Sequence, residues 1–123
     1  MTSVKAPPPS THRIDATDRT LGRVASEAAH ALLGKRSPQA VKHLTHPITV
    51  IIENASKLHL PARRIMGKTY THYTGHPGGL REVRMDEVIA KKGIEEVVRR
   101  TVDGMIPRNR LRTPRMKNLV IKP

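Results

Sequence analysis

Residues 48–52 read ITVII, a β-branched run that gives any strand formed there apolar side chains on both faces. Such a run suits a strand covered on both sides, as in a parallel sheet flanked by helices. Five residues behind Pro47 are too few for a buried helix. Upstream, Leu21, Val24, Ala25, Ala28, Leu32 and Leu33 recur at helical spacing and mark one stripe of a helix over 21–33. Asp18 or Thr20 can cap its start, and Gly34 supplies a stop before Lys35 and Arg36. A short strand is expected over 12–16, ending near Asp15. Strand, helix and strand in that order make a βαβ unit with a right-handed crossover.

Further along, 57–60 reads as another short strand. Segments 69–74 and 80–85 have strand propensity around the turn-rich GHPGG, which predicts a hairpin or an extended loop. Asp86 is placed to cap a short helix, DEVIAKK. After Gly93, Ile94, Val97, Val98 and Val102 mark the inner face of a second helix, with Glu95-Glu96 early and Arg99-Arg100 late to complement its dipole. Pro107 ends it, and residues 119–121 form a closing strand. The length allows one domain, assigned to 12–123, after a flexible arm over 1–11. That arm lacks the apolar centre of a signal peptide, and its three prolines reject an amphipathic presequence, so a cytoplasmic location is expected.

Tyr70 and Tyr73 are the only aromatic residues, so Leu, Ile, Val, Ala and Met must build a thin core. The absence of Cys excludes disulfides, thiolate metal sites and cysteine nucleophiles. Charge says more. The chain carries 23 Lys and Arg against 10 Asp and Glu, net +13, with +4 in residues 1–60 and +9 in 61–123. Self-repulsion on that scale calls for a neutralising partner. The last twenty residues hold six Lys or Arg and no acid, and no apolar run there is long enough for a membrane anchor. Arg108, Arg110 and Arg112 alternate, so on one element they would point in different directions. That suits a curved polyanion, and folded RNA is the natural candidate. Arg115 and Lys117 continue the basic stretch, with Asn109 inside it.

Segment 68–79 is the second candidate. Lys68 supplies charge, Tyr70, His72, Tyr73 and His76 can hydrogen-bond or stack, and Gly78-Gly79 leave room for a sugar–phosphate backbone. An ordinary glycine turn with polar neighbours is the competing reading. Two tyrosines are too few for a single-strand stacking platform, which favours recognition of phosphate and shape. Gly22 and Arg23 at the start of the first helix offer a weaker anion-binding feature. Histidine pairs at 43/46 and 72/76 lack the further ligands of a closed metal site. No paired carboxylates, nucleophile elbow or P-loop occurs, so no cofactor or small-molecule substrate is expected. An enzyme using the βαβ core on a phosphorylated substrate, and a free RNA- or DNA-binding regulator, remain as alternatives.

Five stretches resemble the bacterial large-subunit ribosomal protein family thirteen: IDATDRTLGRVAS at 14–26, ALLGK at 31–35, VIIENASKL at 50–58, KTYTHYTGHPGGL at 68–80 and VDGMIPRNRLR at 102–112. The resemblance implies a three-layer α/β/α core with a mainly parallel four-stranded sheet. It also implies no catalysis, binding to large-subunit ribosomal RNA early in assembly, and neighbouring ribosomal proteins as partners. Loop 68–79 and tail 104–117 would lie against RNA, joined by Arg23, Lys35 and Arg36. The chain departs from the family pattern at His12-Arg13 and at Thr45-His46-Pro47. It also departs in stopping at Pro123, and at Pro114, which interrupts a stretch often helical in the family.

Overall fold

The computed structural model describes residues 10–35 and 47–123. The β-branched run lies in β2 (Ile48–Glu53), which pairs in parallel with β1 (Ser10–Asp15) on one side and β5 (Leu119–Ile121) on the other. β1 thus starts two residues before the expected position. Ile14 stands opposite Ile52, and Ile52 opposite Ile121. Ile14, Val50, Ile52, Leu119 and Ile121 therefore share one face, and all are buried. The other face carries Arg13, Thr49, Ile51, Glu53 and Val120, none of them buried. Among the described residues the run is covered on one side only. Branching at Cβ favours the pleated backbone whether or not both faces are packed, so the run over-reported its burial.

Helix α1 (Leu21–Leu32) and helix α4 (Ile94–Met105) pack on the buried face and against one another. The stripe on α1 is as expected: Leu21, Val24, Ala25, Ala28 and Leu32 are buried, along with Ala29 and Ala31. Four alanines in it bring α1 close to the Val97, Val98 and Val102 face of α4. Gly34 ends α1 at φ 77°, where Gly34 N–H donates to the Ala31 carbonyl and Lys35 N–H to the His30 carbonyl. A Cβ would oppose that left-handed backbone. Thr20 occupies the N-cap position but makes no side-chain cap bond. On β1, His12 Nε2 lies 3.2 Å from Glu27 of α1, which also pairs with Arg19 at 2.7 Å.

Asp15 acts as a clasp where the strands end. Its Oδ1 accepts from Thr17 N–H (3.0 Å), Thr17 Oγ1 (2.7 Å) and Asn54 Nδ2 (3.1 Å). These bonds, the Thr17 backbone one foremost, favour the ionised carboxyl and hold it at about 2 against an ordinary 3.8. A folded-state value below the unfolded one stabilises fully above pH 3.8, and the contribution is lost as pH falls towards 2. Asp15→Asn is thus expected to flatten stability against pH in that window, measured by denaturant titration at several pH values. Parallel curves for the two proteins would refute the clasp.

Elsewhere, elements depart from expectation. Residues 57–60 are not a strand. Ala55–Lys57 is a 3₁₀ turn entered from Asn54 in the left-handed region, and His59 makes one isolated bridge to Thr20. Helix α2 (Ala62–Gly67) follows Pro61, a residue suited to a helix start. Helix α3 (Met85–Lys92) begins one residue earlier than expected. Asp86 therefore sits inside its first turn and not at the N-cap, pairing with Arg84 at 3.2 Å and accepting from the first-turn Glu87 N–H at 2.9 Å. A short helix α5 (Arg112–Met116) accepts Pro114 in its first turn, where a missing N–H costs no helical bond. The segments around GHPGG form an antiparallel hairpin, β3 (Thr69–Tyr73) with β4 (Leu80–Arg84). The mixed α/β class with a mainly parallel sheet is as expected; among the described residues three parallel strands form one sheet and two antiparallel strands another, and a four-stranded sheet in three layers is not seen. The turn returns β3 directly onto β4, so that pair closes on itself rather than extending the parallel sheet.

Candidate nucleic-acid interface

The period of two gives the hairpin distinct faces. Tyr70 opposite Val83 and His72 opposite Arg81 form one; Thr69, Thr71 and Tyr73 with Arg84, Glu82 and Leu80 form the other. The first face turns to α4. The Arg100 guanidinium lies 5.0 Å from the Tyr70 ring centre, and Lys68 Nζ lies 5.6 Å from it. Arg100 Nε also donates to Glu96 at 3.1 Å, so a ring and a carboxylate hold this cation in place. Burial raises the Tyr70 phenol above its usual value, partly offset by Arg100, which keeps it a neutral donor.

Between hairpin, α4 and the tail lies a cleft of about 660 Å³, lined by Tyr70, His72, Arg81, Arg100, Arg108 and Arg112 among others. A second cleft of about 480 Å³ shares Tyr70, Arg100 and Gly104 with it and runs on to Lys68, Arg64 and Gly22. A third, about 370 Å³, shares Gly22 and Arg64 and adds Arg23 and His59. Shared walls make the three one groove. Among the described residues, seven Lys or Arg side chains line it against a single acid, Asp103, which pairs with Arg112 at 3.4 Å. Cations along a connected, open concavity focus potential on a polyanion laid into it.

The fold thus gathers Arg23, Lys68, Tyr70, His72, Arg108 and Arg112 along one groove. Other sequence-derived candidates lie elsewhere. Tyr73 belongs to the reverse hairpin face, and His76 to the turn. Gly78 has φ 73°, and a Cβ on Gly79 would meet the Thr74 side chain and lie 2.9 Å from the His76 carbonyl. The turn itself therefore requires the glycine pair. Asn109 accepts from Leu111 N–H at 3.0 Å, shaping the entry to α5. Lys35, Arg110 and Lys117 are exposed outside the groove. Arg115, expected beside them, is only 2 % exposed, because α5 turns it inward. Arg36 and the pair His43/His46 lie outside the described residues.

Three groove cations were missed. Arg64 sits on an unexpected helix, Arg81 was hidden in a strand-like run, and Arg100 had been accounted for by the helix dipole. Only the register placing Arg81 opposite His72, and the packing of Tyr70 on Arg100, show where they belong. Among the described residues no group of three or more His, Asp or Glu could hold a metal ion, and no helix is long and apolar enough to cross a membrane.

An α/β body with a cationic, aromatic-poor groove has the charge and shape to receive a polyanion. The family model described as Ribosomal protein L13 matches residues 10–121, and the chain belongs to that family. It is 40 % identical over 108 residues to the large ribosomal subunit protein uL13 of Syntrophomonas wolfei, covering 88 % of this chain and 74 % of that one. Identity is also 40 % to the protein of that name in Rubrobacter xylanophilus, over 88 % and 75 % of the two chains. With that of Hahella chejuensis it is 35 %, over 98 % and 87 %.

Proposed function

We propose that this chain is a non-catalytic, structural constituent of the large ribosomal subunit, in the cytoplasm, and that it clamps folded ribosomal RNA early in assembly. The groove carries this reading: seven cations from the first helix, α2, the hairpin, α4 and the tail converge where one acid stands. Helices α1 and α4, packed on the sheet, hold these elements at fixed separations. The clamp therefore recognises the spacing of phosphates rather than base identity. Family membership and the names of the relatives support the ribosomal assignment. Cell lysate resolved on a sucrose gradient at moderate salt is the test. The chain is expected to co-migrate with the large subunit; finding most of it at the top of the gradient would favour a free regulator and refute the assignment.

A further inference from the structure

We infer that the β3–β4 hairpin works on both sides, and that its reverse face docks a neighbouring protein through an apolar patch rimmed by Lys or Arg. This rests on the proposed function only in supposing assembly into a larger particle. On the reverse face Tyr73 stands opposite Leu80, and they are 60 % and 58 % exposed. A cross-strand aromatic–aliphatic pair with both members open is a surface awaiting cover. Its surroundings decide the occupant. Next in register is Thr71 opposite Glu82, then Thr69 opposite Arg84. Arg84, the only cation of that face, is turned to Asp86 at 3.2 Å. Glu82 forms no ion pair among the described residues.

The reverse face thus offers phosphate an unpaired carboxylate and a single cation already paired to Asp86, although the chain as a whole is +13. Around Tyr73 and Leu80 that leaves little to hold RNA. A protein surface with an apolar centre and a basic rim would be matched at both points: Tyr73 and Leu80 bury apolar area, and Glu82 meets the rim. Tyrosine also suits an interface centre, since its ring is buried at small entropic cost while its hydroxyl keeps a polar partner.

Photo-crosslinking in assembled large subunits tests this. The full chain carries p-benzoylphenylalanine in place of Tyr73, or separately in place of His72 on the groove face. From position 73 the expected product is an adduct with one neighbouring subunit protein, at a peptide containing Lys or Arg. Adding Glu82→Lys is expected to reduce that adduct about tenfold, while the RNA adduct from position 72 stays unchanged. An RNA adduct from position 73, or none at all, overturns the inference. Failure of position 72 to reach RNA counts against the groove reading instead, so the two failures are distinguishable.

Discussion

Replacing Arg81, Arg100, Arg108 and Arg112 together by Ala is expected to flatten the salt dependence of RNA binding by about 3 on a log–log plot. Each phosphate contact contributes roughly 0.7 to 0.9 to that slope, so four side chains from one cleft account for the figure. Between about 50 and 200 mM salt, a fourfold change, the native chain should then lose about 60-fold more affinity than the variant. The four cations do not contribute equally. Arg112 already has Asp103 at 3.4 Å, so part of its charge is answered within the protein. Arg100 is held by Tyr70 and Glu96 and loses little freedom on binding. Arg108→Ala alone should weaken every RNA of the same shape by a similar modest factor. Filter binding or anisotropy across a salt series checks both. A change that switched sequence preference while leaving the slope intact would rule out phosphate screening.

Ile52→Ala is expected to cost about 2–5 kcal/mol of stability, a large share of the roughly 5–15 kcal/mol typical of a domain. Ile52 is fully buried in the central strand, between Ile14 and Ile121 in register and beneath the two long helices. With no Phe or Trp in the chain, no aromatic ring can fill the space left, and the loss is set by how far Ile, Leu and Met neighbours relax. Ile51→Ala, next along the strand but on its other face, should cost about 1 kcal/mol or less. Urea denaturation of both variants is decisive, because equal losses would mean that the sheet is packed on both sides.

Patterns that repeat at short range were legible. The α1 stripe, the glycine stop at Gly34, the α4 face and the closing strand all follow from local periodicity and backbone preference. The Asp15 bonds to Thr17 N–H and Oγ1 are local as well, of the kind an acid makes to the backbone two residues on. Reading 57–60 as a strand failed because Asn54 enters the left-handed region and diverts the chain into a tight turn, which an apolar pattern does not record. Arg115 looked like its neighbours until α5 turned it inward.

Composition and spacing alone determined that the chain is an aliphatic-cored α/β protein with a large cationic excess, a basic tail and a Tyr-, His- and Gly-rich segment suited to RNA, since these depend on residue types and on neighbours a few positions apart. Tertiary structure decided which cations lie together and, among the described residues, which face of the sheet is covered. Arg23, Arg64, Arg81 and Arg100 come from four separate elements, and only packing places them along one groove. Charge adds along a sequence, whereas the potential a polyanion meets depends on distances in space.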